Sequence, residues 1–571
     1  LLLLLIVNWC PRAQAQYSRY VVQFSDKNNS PFHFSDPSKY LSARALQRRS
    51  TQQIELDSAD LPINPAYLDS LATVPNVIVL NHSKWLNQTL VKTTDPAAMA
   101  KINGFPFVKN MSPVAQKARS AVADTMKIKA DQRGNFLRKE SVTADDQKNL
   151  SANAVSIRGN ALNYGNNYAQ IHIHEGEYLH NLGFRGQGLV IALLDAGFKS
   201  YLTNPAFDSI RQNGQVLGSY DYVNLKTSVN EEDIHGAYCL SVIAANEPGK
   251  MTGSGTGATF WLLKTEDTQS EYPVEEQNWA AAAEFADSAG ADIISTSLGY
   301  AYFDDPLFNH PYSDRDGHHS IISMAANIAV GKGMIVTASA GNTGEATDER
   351  KYIDCPADAD SVLTIGAIDT HGAIAPFSSW GPNAAGLIKP DLVSVGLGTV
   401  VADASGAPML GNGTSFSNPN LAGLIACLWQ AFPEFNSHDI NRAVEESADR
   451  YTHPDERYGY GIPNFRIAYQ HLLDQRNFLA YENRSGPSWI SVYPVPFRDN
   501  FSVVFKPAFS GTATLRLIDA TGRTLESKSV PATANQFSLE RSSKTYLLPK
   551  GIYFIRYDDG HQNKTLKTIK Q

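Results

Sequence analysis

The chain has 571 residues, 43% of them hydrophobic and 19% charged, with 40 glycines and 29 prolines. That length supports several cores, and the tryptophan and tyrosine content argues against wholesale disorder. The formal charge of −8 is spread along the chain without a basic block, which sets aside a nucleic-acid surface.

The opening "LLLLLIVNWCPRAQAQ" holds an apolar run too short to span a bilayer, which takes about 20 residues. It ends in Ala13-Gln14-Ala15, the small-x-small pattern of a signal-peptidase site, so residues 1–15 are read as a signal peptide. A lipid-attachment role for Cys10 is the alternative, poorly served by Asn8, Trp9 and Pro11 around it. With no starting Met and no basic n-region, the natural start is expected upstream. No later apolar stretch is long enough for an anchor, and an exported, soluble mature protein is expected.

Next comes a small α+β unit. "YSRYVVQF" and "NVIVLN" read as strands, and "SDPSKYLSARALQRRS" as a helix between them. In that helix Ser35 or Asp36 is the expected cap, Pro37 the first turn, and Leu41, Ala45 and Leu46 one face. From about residue 110 to 165 the chain turns polar and patternless, so residues 16–150 are read as this unit and its linker.

Between residues 166 and 472 the texture changes. Apolar runs such as "GLVIALLDAG", "ATFWLLKT", "ADIISTSLG", "GMIVTASAGN" and "SVLTIGAID" alternate with helical patterns. Continuous apolar strands between helices predict an α/β domain with a mostly parallel sheet covered on both faces. From residue 488 to 571, short alternating stretches such as "ATLRLID" and "GIYFIRY" between Asp/Gly turns predict a small all-β module.

The chemistry gathers in the middle block. In "GNGTSFSNPNLAGLIACLW", Leu421, Leu424, Ile425 and Leu428 mark a buried helix. Pro419 is expected close to its first turn, which places Ser415 at its mouth. A hydroxyl there lies in the positive end of the helix dipole, where a nascent oxyanion is stabilised. Asp195 ends a buried strand, at the edge of an open sheet where catalytic groups collect. His235 precedes a helix, with Gly236 allowing a close backbone approach, and Asn342 ends another strand with an amide able to donate. Singly these are a cap, a surface turn and a common turn. Together they supply orienter, base, nucleophile and electrophilic donor.

The order Asp…His…Ser, with "LLDAG", "HGAYCLSVIAA", "SAGN" and "GTSFSNPNLAG", resembles the subtilase family of serine peptidases. "FSSWGPNAAGLIKPDLVSVG" is similar to the segment that precedes the serine motif in that family. Ala237, Phe416 and Ser417 stand where relatives commonly have Thr, Met and Ala, and none of these removes a reacting group. The resemblance implies a subtilisin-like endopeptidase with Asp195, His235 and Ser415 as the triad and Asn342 in the oxyanion hole. It also places Ser297, Leu298 and Gly299 along the cleft, pairing with an extended substrate. A plain strand-to-loop exit is the alternative for those three. The chemistry implied needs no cofactor or catalytic metal; a structural calcium is left open. An ordinary imidazole would put the acid limb of activity at about pH 6–7.

The first block resembles a subtilase propeptide, which implies that the protein's own N-terminal unit is a partner until a maturation cut between about 130 and 165. A permanent N-terminal domain is the other reading. "VYPVPF" and the Lys-rich end "LPKGIYFIRYDDGHQNKTLKTIKQ" resemble the sorting domain of type IX secretion cargo of Bacteroidetes, with Val495 where Asn is usual. That implies export through the periplasm of a Gram-negative bacterium to the surface or medium, by way of the secretion machinery. A β-sandwich module that binds carbohydrate or protein is the alternative. Cys239, Cys355 and Cys427 are read as small buried hydrophobes, with one disulfide left open, and no Cys or His pair has metal-site spacing. Two other functions compete: a catalytically silent subtilase fold used as an adhesin, and an α/β-hydrolase esterase. The second is disfavoured by the triad order and by the missing second Gly of a G-x-S-x-G elbow.

Overall fold

The computed structural model of the chain describes residues 17–116, 160–485, 489–493, 495–497, 501–534, 538–541 and 548–571. The signal peptide read at residues 1–15, Cys10, and most of the stretch expected to hold the maturation bond lie outside the described residues. Two compact units divide the chain, Leu1–Ala468 and Tyr469–Gln571.

The first unit opens with strand β1, Tyr17–Phe24, and helices α1, Ala43–Gln52, and α2, Pro65–Ala72. Strands β2, Ile78–Ser83, and β3, Gln88–Lys92, follow, then α3, Pro96–Asn103, and β4, Val108–Gln116. The strands form an antiparallel sheet in the order β2-β3-β1-β4. Period-two alternation along β1 sends Tyr20, Val22 and Phe24 into a core with Leu71 and Ile102, while Val21 faces the other way, beside Val274. The helix expected from Ser35 or Asp36 splits in two. Pro37–Lys39 is a short 3-10 turn after Asp36, and α1 starts only at Ala43. Its cap is Ser42, whose side chain accepts the Ala45 N–H, so Leu41 precedes the helix.

The central sheet has seven strands: β5, Val190–Asp195; β6, Val216–Asp221; β7, Thr259–Lys264; β8, Ile293–Thr296; β9, Ile335–Ser339; β10, Leu363–Ile368; and β11, Leu392–Val395. Their order is β11-β10-β9-β8-β5-β7-β6, and every pairing is parallel. Every residue of β5, β8, β9, β10 and β11 is buried, which is why they read as continuous apolar runs. Val190, Ala192 and Leu194 face helices α5, Val274–Ala289, and α6, Ile321–Gly331. The opposite face takes α4, His235–Ala244, and α7, Thr414–Ala431. All the strands point the same way, so their carboxyl ends share one edge, where helix and strand termini meet.

The N-terminal sheet docks on α5. The Glu284 carboxylate accepts from the Ser83 hydroxyl and from the backbone N–H groups of Lys84 (2.7 Å) and Trp85 (3.1 Å). Asn81 donates to Asn278 at 2.8 Å and Gln88 to Gln277 at 2.7 Å. A buried ion network flanks these bonds. Arg48 and Arg49 reach Asp287, and Asp60 sits between Arg49 (2.7 Å) and Lys332 (2.9 Å).

The second unit is antiparallel. Strands β12, Ile490–Tyr493; β13, Ser502–Phe505; and β16, Ser538–Arg541, form one sheet. Strands β14, Gly511–Asp519; β15, Thr524–Ala532; β17, Gly551–Asp558; and β18, Asn563–Lys570, form the other, in the order β15-β14-β17-β18. Phe505, Leu515, Leu517, Tyr553, Ile555 and Tyr557 share its core. Among the described residues, no helix is long and apolar enough to cross a membrane.

Candidate active site

Asp195 is the last residue of β5, and the fully buried strand fixes its position. Its Oδ1 accepts the Ala196 N–H at 2.7 Å and lies 2.7 Å from His235 Nδ1. His235 opens α4, with its own N–H held by Asp233 Oδ1 at 2.7 Å. The helix can start this close to the strand end only because the next residue is Gly236. A Cβ there would sit 2.6 Å from the Gly197 carbonyl oxygen and 3.0 Å from Asp195 Cβ. Burial pulls the imidazole down, but the Asp195 carboxylate beside Nδ1 outweighs it and holds His235 well above its ordinary value. The ordinary range expected from sequence is thereby displaced upward.

Ser415 is the second residue of α7 and is buried. Pro419 lies deeper in this helix than expected, past the first turn. A proline there has no N–H for the carbonyl four residues back, which belongs to Ser415. Two side chains fill the gap: the Ser297 hydroxyl donates to that carbonyl at 3.0 Å and the Cys239 thiol at 3.3 Å. Cys239 also stands 4.0 Å from His235 Nδ1, so one residue touches both the histidine and the serine backbone. Burial pushes its thiol up, so it is neutral. The Phe416 ring packs near the His235 ring, centroids 6.2 Å apart.

Asn342 follows β9. Its Oδ1 accepts from the Thr414 backbone N–H (2.8 Å) and hydroxyl (3.0 Å). Only an oxygen can accept an N–H, so the amide orientation is fixed and Nδ2 points away from Thr414. Ser297 is tied to Ser415 as described. Asn418 Nδ2 reaches back to the Thr296 carbonyl at 2.9 Å, fastening α7 to the end of β8. Leu298 is buried, and Gly299 precedes an antiparallel bridge between Tyr300 and Cys355. All seven residues singled out from sequence thus lie on the carboxyl edge of the sheet or on the helices that meet it. Sequence reasoning missed Asp233, Cys239 and the pairing between Pro419 and Ser297. Of these only Asp233, two residues before His235, left a local signal: an Asx turn.

Among the described residues, two groups bring possible metal ligands within 4.8 Å of one another: Asp195 with His235 and Cys239, and Glu266 with Glu271 and Glu275. In the second, Glu275 already accepts the N–H groups of Asp267 (2.7 Å) and Tyr272 (3.0 Å). Cys239, Cys355 and Cys427 are all free and buried, which closes the disulfide option among them.

A parallel sheet thus places an Asp–His pair, an amide and a helix-start serine along one edge. Residues 186–461 match the subtilase family. Residues 19–132 match the peptidase S8 propeptide domain of Bacteroidota, and residues 491–571 the secretion system C-terminal sorting domain. Among curated relatives, a thermophilic serine proteinase of Bacillus sp. (strain AK1) is 28% identical over 278 residues, 48% of this chain and 60% of that protein. Serine protease AprX of Bacillus subtilis (strain 168) is 25% identical over 309 residues, 49% of this chain and 65% of that one. The chain therefore spans less than two thirds of the length of either. A solved structure of MycP1 from Mycobacterium smegmatis aligns over 53% of this chain and 84% of its own, at 19% identity and a TM-score of 0.42.

Proposed function

We propose that the protein is an exported serine endopeptidase in which Asp195, His235 and Ser415 form the triad. The observation that carries this is the 2.7 Å bond between Asp195 and His235 Nδ1, at the sheet edge where Ser415 opens α7, inside the subtilase match. Ser415 Oγ attacks the substrate carbonyl carbon while His235 Nε2 takes the hydroxyl proton. Asp195 keeps the proton on Nδ1 and stabilises the imidazolium. The oxyanion accepts from Asn342 Nδ2 and from the Ser415 N–H at the positive helix end. His235 returns its proton to the leaving amine, which departs as the acyl-enzyme forms. Water, deprotonated by His235, then releases the acid and restores Ser415. Ser297, Leu298 and Gly299 pair with the extended substrate backbone, which favours tolerance of many sequences.

No step here requires a cofactor; a structural calcium stays an expectation of the resemblance. The N-terminal unit acts as a propeptide that covers the peptidase domain until cleavage. The C-terminal module addresses the chain to a type IX machinery that moves it out of the periplasm.

The test is a fluorophosphonate probe on the purified, processed protein. Ser415 should be labelled, and Ser415→Ala should lose both labelling and peptide hydrolysis. Its precursor should also stay uncut when other proteases are absent. A folded, processed protein that neither labels nor cleaves any peptide would instead favour a silent scaffold.

A further inference from the structure

Strands β8 and β9 are neighbours, with Thr296 paired to Ala338. Beyond that pair the two chains run on as Ser297-Leu298-Gly299 and Ala340-Gly341-Asn342, the two sides of a slot. Asn342 and Ser415 fix where a substrate carbonyl would lie, so the side chain of that same residue has this slot beside it. Asp354 stands at the slot's base. The antiparallel bridge between Tyr300 and Cys355 holds it under Gly299. A Cβ on Gly299 would lie 3.1 Å from Asp354 Cβ, and one on Gly341 would lie 3.1 Å from Asp354 Oδ2. Glycine on both walls is what lets the carboxylate reach the space between them.

The state of that carboxylate is unusual. Its side chain is only 12% exposed, yet no hydrogen bond to it is made among the described residues. Its ion-pair partner is Arg315, fully buried, with Nη1 3.7 Å from Asp354 Oδ1, and Asp358 and His310 also act on it by charge. Arg315 is held by backbone carbonyls instead, His310 at 3.1 Å and Glu349 at 3.4 Å. Oδ1 therefore faces the guanidinium, while Oδ2 lies against the two glycines. Burial lifts the Asp354 carboxyl to about 6, against the pull of Arg315, so it is ionised at neutral pH. A desolvated carboxylate without a donor is costly until one arrives.

We propose that Asp354 forms the floor of the pocket for the residue on the amino side of the cut bond, and that it selects lysine or arginine there. This inference rests on the peptidase reading above. A cation entering the slot gives Oδ2 its missing donor and leaves Arg315 on Oδ1. The same chain already holds a buried carboxylate in this way: Asp60 takes Arg49 on Oδ1 at 2.7 Å and Lys332 on Oδ2 at 2.9 Å. An acidic side chain would meet Oδ2 with like charge, and an apolar one would leave it without a donor. The stretch expected to hold the maturation bond offers suitable residues: Arg133, Arg138, Lys139, Lys148 and Arg158.

The experiment uses the processed enzyme and peptides that differ only at the residue before the cut: Lys, Arg, Leu, Gln or Glu. The kcat/KM for Lys or Arg should exceed that for Leu by at least about 10-fold, with Glu poorest. Asp354→Asn should bring the Lys-to-Leu ratio down toward one. N-terminal sequencing of the mature protein should place the cut after Lys or Arg. A wild-type preference for Leu or Glu overturns the inference even if the variant does not fold, and so does a Lys preference unchanged in Asp354→Asn. Those outcomes leave the peptidase reading standing. Failure to cleave any peptide, with Ser415 unlabelled, removes that reading and this one together.

Discussion

The Ser297 hydroxyl donates to the backbone carbonyl of Ser415 at 3.0 Å, in place of the N–H that Pro419 lacks. The proposed nucleophile is thus tied through its own peptide unit to the strand exit that would hold the substrate. A backbone bond inside α7 has been exchanged for one between two elements.

That exchange predicts coupling. Ser297→Ala leaves the carbonyl to the weaker thiol of Cys239 and should lower stability by about 1–2 kcal/mol. With Pro419→Ala, an N–H returns to the helix and the carbonyl regains an intrahelical partner. The double variant should therefore lose less than the two single losses summed. Urea unfolding in a Ser415→Ala background, where self-digestion is absent, measures this; strict additivity would show that Ser297 and Pro419 do not share the carbonyl.

Asn342→Leu should lower kcat by roughly 10²–10³ and shift KM much less. The orientation imposed by Thr414 leaves Nδ2 as the donor for a charge that exists only during reaction. Steady-state kinetics on one peptide suffices. An unchanged kcat would reduce Asn342 to a turn residue.

The pH dependence follows from the sign of the His235 shift. Only neutral imidazole accepts the Ser415 proton, so hydrolysis rises as pH climbs through the His235 value. Asp195 at 2.7 Å outweighs burial and lifts that value above 6.5. The limb should therefore lie above the 6.5 of an ordinary imidazole, and Asp195→Asn should move it down while lowering kcat. A rate per enzyme molecule that stays flat from about pH 6 to 9 would contradict a histidine base.

The docked N-terminal sheet should respond to pH through Glu284. Burial lifts its carboxyl to about 7, against the Ser83 hydroxyl, Lys84 and two backbone N–H groups. Once the sheet leaves, the group returns toward the ordinary value of about 4.3. Through Glu284, docking takes up a proton between these values, so this group's share of the grip grows as pH falls below about 7 and is smallest above it. Lys27, Lys84 and His82, all lowered by burial, release protons on docking and pull the other way, so the Glu284 share is read from the difference that Glu284→Gln removes. The cut N-terminal segment should co-elute with the peptidase at about pH 5.5 and separate at about pH 8. Glu284→Gln should flatten the difference; a wild-type grip that strengthens with pH would refute the assignment.

Much of this architecture was legible because burial on both faces leaves an unmistakable strand texture, as in β5 and β9. Ser415 was legible for a related reason: Leu421, Leu424, Ile425 and Leu428 show the helix that Ser415 opens. What escaped depends on residues far apart in the chain. Ser297 lies 118 positions from Ser415, and Cys239 lies 176. Asp354 sits in an unpatterned loop and gains meaning only from the glycines above it. Glu284 and Asp287 would pass for a solvated helix face, because their partners lie far off in the chain, on the N-terminal sheet for Glu284 and on α1 for Asp287. The misplaced cap has a local cause: Ser35, Asp36 and Ser42 are all competent caps, and packing chose the last.

Three thiols without covalent partners give the molecule an internal clock. Cys239, Cys355 and Cys427 are buried in different parts of the first unit: under His235, in the loop after Asp354, and in the middle of α7. A water-soluble thiol reagent reaches none of them until the surrounding structure opens. The rate at which each is modified therefore reports the lifetime of its own neighbourhood. Reductants have no cross-link among them to break, so the same measurement can be made in a reducing medium.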